Sequence, residues 1–193
     1  MLIAKCVDDG FQVLIPEESG RHWIASFGDV DVEATFLDEG TGARFWFHRQ
    51  KQDIFSFSAK DLVSDSLWIA VDESRTHIAF TYGEGESIGR FHVRVFSLDG
   101  DHVRDDSKSI EAAVADFKKR HYCKPRGNNV TALKWIRDTL LLLTEVYPTG
   151  DCGTDMGHLE GYVITVPEGQ ILEHLTLAQL RSYPTVCLQN DEN

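Results

Sequence analysis

Two stretches of the chain, offset by 69 residues, follow one plan, and that repeat restricts the fold more than any other feature. In the first, Leu67–Val71, a turn, His77–Tyr82, a glycine-rich loop and Val93–Leu98 lead through Asp99-Gly100 to His102-Val103. In the second, Val130–Trp135, a turn, Leu140–Val146, a glycine-rich loop and Tyr162–Val166 lead through Pro167-Glu168-Gly169 to Ile171-Leu172. Short segments rich in β-branched and aromatic residues, separated by Asp, Glu and Gly, are the pattern of antiparallel strands joined by hairpins. A weaker, earlier copy runs from Val32–Leu37 through Ala43–Phe47 to Ile54–Phe57, and Phe11–Ile15 reads as a further strand.

Four-stranded antiparallel units of this length are the building block of β-propellers. The expectation is a mainly β (α+β) single domain over 1–193, its antiparallel sheets in a propeller-like arrangement with blade-like units near 32–60, 66–104 and 129–175. The competing arrangement is a β-sandwich whose turns recur by chance. One helix interrupts the strands near 107–122, where Ile110, Val114, Phe117 and His121 recur at helical spacing. Ser107 or Ser109 caps its start, Lys118, Lys119 and Arg120 suit its C-terminus, and Pro125 and Gly127 end it. A short C-terminal helix runs from Thr176 to Tyr183, closed by Pro184.

No apolar run approaches membrane-spanning length, and the segment MLIAKCVDDG lacks the basic start and cleavage site of a signal peptide. The chain therefore reads as cytoplasmic, with Cys6, Cys123, Cys152 and Cys187 as free thiols. A Cys123–Cys152 bridge belongs to an exported relative. Asn129-Val130-Thr131 is a glycosylation sequon only in a secreted eukaryotic chain.

Motifs that suggest chemistry dissolve on inspection. Gly85-Glu86-Ser87-Ile88-Gly89 matches the nucleophile pattern of serine hydrolases, but a strand follows it where that elbow needs a helix. Ser87 is therefore read as a turn residue. Cys152, Asp155 and His158 are competent metal ligands that His121 and Cys123 would complete, yet their spacing fits no usual zinc motif. They are read as incidental, with no metal and no cofactor. His22, His48, His77, His92, His102 and His174 fall in strands or beside turns and form no recognisable triad. Lys118, Lys119, Arg120, Lys124 and Arg126 are a solvated helix end, not a nucleic-acid footprint.

Charge is the feature left over. The net charge is −12, and residues 1–106 hold 20 acidic against 10 basic side chains. Asp29, Asp31 and Glu33 share one face of an extended segment, while Asp38, Glu39, Asp72, Glu73, Glu84 and Glu86 sit at strand-connecting turns. In a propeller-like stack such turns gather on one rim and pool their charge. That surface repels nucleic acid and anionic membranes and attracts a basic partner.

Cys123–Val130, through Asp151-Cys152-Gly153 to Gly161-Tyr162-Val163, looks like a recurring element of small bacterial β-rich proteins. In size, acidity and lack of a catalytic motif the chain also resembles immunity proteins of bacterial toxin systems, including those paired with type VI secretion effectors. That resemblance implies a non-catalytic inhibitor that binds a cognate toxin and covers its active site. For a cytoplasmic protein it implies a toxin acting there, such as a nuclease whose basic groove attracts an acidic inhibitor. The expected contacts are the nine carboxylates just named, with Trp23, Trp46 and Trp68 as aromatic anchors. The alternative is a propeller-like scaffold or small-ligand-binding module without a toxin partner.

Overall fold

Alternation of large apolar and polar residues dictates three antiparallel sheets that stack face to face. The computed structural model describes residues 10–12, 20–37, 42–60, 62, 67–84, 90–121, 128–147 and 152–183. The first sheet is the meander β2 (Arg21–Phe27), β3 (Val30–Phe36), β4 (Gly42–Arg49) and β5 (Gln52–Lys60). The central sheet is the meander β6 (Trp68–Val71), β7 (His77–Glu84), β8 (Arg90–Asp99) and β9 (His102–Asp105), with β1 (Gly10–Gln12) added beside β6. The third is β10 (Asn128–Ile136), β11 (Thr139–Val146), β12 (Leu159–Thr165) and β13 (Ile171–Thr176). The expected mainly β class, with antiparallel sheets and two short helices, is what the chain adopts.

The first unit begins earlier than its expected start at residue 32, because β2 precedes β3. A register shift between Trp23 and Ala25 breaks the alternation of β2, so that Ile24 and Ala25 are both buried. A bulge of this kind hides a strand from a period-two reading.

The first and central sheets meet through aromatic packing. Phe27, Phe45, Phe47, Phe55 and Phe57 from one interlock with Phe80 and Phe96 from the other. The Phe47 ring lies 5.1–6.1 Å from five others, mostly edge to face. The opposite face of the central sheet carries Ala70, Ala79, Thr81, Val93 and Val95, small enough to admit β10 closely. There the Ala132 amide, beside a bulge in β10, donates to Thr81 Oγ1 (2.9 Å), and Trp135 Nε1 donates to the Ala70 carbonyl (3.1 Å). The Ala132 amide beside the bulge and the buried Trp135 indole are thus both satisfied across the sheet boundary.

The inserted helix is α1 (Glu111–Arg120), entered through a 3-10 turn at Ser107–Ile110. Ala113 and Phe117 bury its inner face against the third sheet. Neither serine caps it; Ile110 holds the N-cap position and makes no side-chain cap bond, while Ser109 is buried. Ser109 is also where Gly169 comes in: at φ +70°, a Cβ there would lie 2.6 Å from the Ser109 carbonyl oxygen. The far face of the third sheet is covered by α2 (Leu177–Ser182), whose Thr176 and Gln179 form a capping box. Leu180 of α2 sits directly on Gly161, where any Cβ would meet it at 2.5 Å.

Truncating the most interlocked ring tests this account. Phe47→Ala is expected to lower the unfolding free energy by about 3–5 kcal/mol, against within about 0.5 kcal/mol for Ile54→Ala at a 37 % exposed position. Urea titrations of the two variants check it.

Candidate functional site

Parity in the first sheet sends Arg21, Trp23, Asp31, Glu33, Arg44 and Trp46 away from the core. Register aligns Trp23, Glu33, Trp46 and Ser56 across the four strands. Trp23 is 64 % exposed, and its Nε1 donates to Ser26 Oγ (3.2 Å), which in turn donates to Asp31 Oδ1 (2.6 Å). Trp46 is sandwiched between the guanidinium groups of Arg21 and Arg44, at 3.8 and 4.1 Å from its ring. Glu33 lies 3.0 Å from His48 Nε2, and Asp53 pairs with both His48 and Arg21. Trp68 is half-buried in the central sheet.

Successive turns of a meander alternate between its two ends, so Glu84, at the end of β7, lies at the opposite end from Asp72 and Glu73 before its start; the β2–β3 and β8–β9 turns do meet. Arg49 reaches from the end of β4 to Asp29 (2.8 Å) and Asp101 (3.0 Å), tying the β2–β3 and β8–β9 turns together. Glu73 is exposed; its neighbour Asp72 is not. At 3 % exposure, Asp72 accepts from the His77 amide (2.7 Å), from Thr76 (3.1 Å) and from Ser74. Burial alone would raise this carboxyl, but bonds from His77 and Ser74 outweigh it and hold it at about 2. Asp72 is therefore a staple of the β6–β7 turn, not a partner contact: only an inward carboxylate can accept from the whole turn. Asp38, Glu39 and Glu86 lie outside the described residues, as do Ser87 and its loop. Glu84 ends β7, and its side chain is likewise outside them.

A second group of polar side chains converges where α1 ends on the third sheet. Glu160 and Tyr162 share one face of β12, and His158 precedes them on the same parity. The α1 helix, anchored by Phe117, brings Asp116, Arg120 and His121 over that face. Arg120 grips Glu160 with both nitrogens (2.8 Å to Oε1, 2.7 Å to Oε2) and pairs with Asp116 one turn back (2.9 Å). His121 and His158 stack, ring centroids 4.0 Å apart, and their Nε2 atoms lie 3.2 and 3.3 Å from Glu160 Oε1. His174 approaches Oε2 at 3.0 Å. Burial would raise the Glu160 carboxyl, yet hydrogen bonds from Arg120, His158 and His174 hold it at about 2. Burial, together with Glu160 and Asp116, pushes the Tyr162 hydroxyl well above its ordinary value, so it stays a proton donor, to Asp116 at 3.1 Å.

This cluster corrects the sequence reading of the 149–158 loop. His121 and His158 do come together, with Asp155 Oδ2 at 3.6 Å from His121 Nδ1, but around Glu160. Cys152 is disulfide-bonded, so it is neither the expected free thiol nor a ligand; its partner lies outside the described residues, as does Cys123. Glu160 was hidden because it reads as a strand residue. Its only signal was the His158-x-Glu160 spacing, which puts both side chains on one face of a strand. Asn129 is buried, accepting from the Phe91 amide and donating to Glu145, so its sequon amide is already used. Among the described residues, no helix is long and apolar enough to cross a membrane.

No protein-family model matches the chain, and no similar curated protein or solved structure was found.

The Asp72 staple carries a pH prediction. Folding lowers its pKa from 3.8 to about 2, so its contribution is complete above the unfolded value and is lost as pH falls through about 2. Asp72→Asn is expected to lower stability near neutral pH and to flatten its decline between about pH 4 and pH 2. Urea midpoints of both proteins across that range are the measurement.

Proposed function

We propose that the protein is a non-catalytic inhibitor of the immunity type, binding a basic protein toxin through the outer face of its first sheet. The observation that supports this most is Trp23: a large aromatic side chain 64 % exposed, yet pinned through Ser26 to Asp31. Tryptophan and arginine dominate the energetics of protein interfaces, and a side chain already held in place loses little freedom on binding. Around it lie Glu33 and the Arg21–Trp46–Arg44 sandwich, chemistry suited to a protein surface.

The charge of −12 favours a basic partner, with Asp29, Asp31, Glu33 and Glu73 as its described acidic contacts. In this reading the three stacked meanders are consecutive blades of an open, propeller-like array, and the terminal blade presents the binding face. The disulfide at Cys152 favours an oxidising compartment. The toxin we propose is therefore one met outside the cytoplasm, in place of the cytoplasm-acting nuclease suggested by acidity alone.

The test uses the tagged full-length chain as bait in its native cells, washed at low and high salt, with partners identified by mass spectrometry. A stoichiometric basic partner is expected, weakened at high salt. Trp23→Ala is expected to weaken that partner's binding about 30-fold, the effect of losing about 2 kcal/mol at a hot spot, with the fold unchanged. Bait without a stoichiometric partner, or a partner indifferent to Trp23→Ala, overturns the reading.

A further inference from the structure

We propose that His121, His158 and Glu160 bind a transition-metal dication of the zinc class. The inference is independent of the binding face, since the cluster belongs to the third sheet and α1.

The donor set is the first argument. Two imidazoles and a carboxylate form a recurrent zinc ligand set, with bonds of about 2.0–2.2 Å. A tetrahedral ion with such bonds separates its ligand atoms by about 3.3–3.5 Å. Here Glu160 Oε1 lies 3.2 Å from His121 Nε2 and 3.3 Å from His158 Nε2, and the three ligand atoms all lie within 4.8 Å of one another. Long for charge-assisted hydrogen bonds, those spacings match the edge of a coordination polyhedron.

The proton inventory is the second. A carboxylate offers about four lone-pair positions. Arg120 donates to both oxygens of Glu160, and His174 and Tyr162 approach Oε2, before His121 and His158 are counted. Meanwhile His121 Nδ1, buried and without a hydrogen-bond partner, has Asp155 Oδ2 at 3.6 Å. His121 Nε2 donates to Glu160 Oε1 in one imidazole tautomer, and in the other, with Nδ1 toward Asp155, it presents its Nε2 lone pair on the same side as that oxygen. In that second tautomer two electron-rich atoms stand 3.2 Å apart, a pair that a cation completes as ligands. A carboxylate behind a ligating histidine is also the usual orienting partner of such ligands.

Charge and access agree. Asp116, Asp155 and Glu160 exceed Arg120 by two negative charges when the histidines are neutral, the charge of one dication. The His158 side chain is 41 % exposed, which gives an ion a way in and leaves room for water as a further ligand.

The test is a titration of the full-length protein, stripped with chelator and desalted, with ZnCl2 near neutral pH by calorimetry, repeated with CoCl2 in the visible spectrum. One equivalent is expected to bind with a Kd of about 10 μM or tighter, and Co2+ to show ligand-field bands. His158→Ala, at a half-exposed position, is expected to keep the apo protein's circular dichroism and melting point, weaken zinc at least about 100-fold and abolish the cobalt bands. Asp155→Asn is expected to weaken zinc about 10-fold. Absence of binding at about 1 mM ZnCl2 by a natively folded protein overturns the proposal. Binding unaltered by His158→Ala overturns it equally.

Discussion

The interlocking of phenylalanine rings between the first and central sheets is the interaction on which the architecture depends. Neither sheet can hide its apolar face alone. A four-stranded meander with Phe45, Phe47 and Phe57 on one side needs a complementary surface, and Phe80 and Phe96 supply it. Each buried ring contributes about 1.5–3 kcal/mol by transfer, and edge-to-face pairs about 0.5–1.5 kcal/mol beyond that. The geometry also fixes register. Slipping a strand by one residue would turn its phenylalanines toward solvent and its Trp23, Glu33 and Trp46 equivalents into the core. The outward display of the first sheet is thus a consequence of its inward packing.

The central sheet solves two packing problems at once. One face takes bulky rings, and the other, built on Ala70 and Ala79, lets β10 approach closely enough for hydrogen bonds between the sheets. The division of its faces into bulky and small was not legible in the sequence, whereas the strands of this sheet at 67–71, 77–82 and 93–98 were, as were most of those around it and both helices. The reason is that a period of two or 3.6 is set by local geometry alone. Also hidden were β2, whose bulge at Ile24 makes two successive residues point inward, and the start of α1, where a 3-10 turn displaces the serine caps.

The sites were less legible, and for a physical reason. Asp72 and Glu73 are adjacent carboxylates at one turn, yet one accepts hydrogen bonds from that turn and the other faces solvent. Sequence reports the charge but not the direction of the side chain. His121 and His158 were recognisable as ligand types, whereas their meeting point was not, because it is set by how α1 lies across β12. Glu160 joins them only through that crossing. Cys152 shows the same limit from the other side: composition suggested a thiol, and only the folded chain brings it into a disulfide.

Glu160 is also where the fold departs from what stability alone would select. A carboxylate at 6 % exposure loses most of its hydration, a cost that bonds from Arg120, His158 and His174 have to offset. An apolar pair of similar size would join α1 to β12 at no such cost, as Phe117 already does nearby. Three histidines directed at one buried carboxylate add nothing that packing requires. Tyr162, held protonated, and Arg120, braced by Asp116, fix the orientation of Glu160 more tightly than an ion pair needs. Such over-determination keeps donor atoms in place against their mutual repulsion, which is what a binding site demands and a structural contact does not.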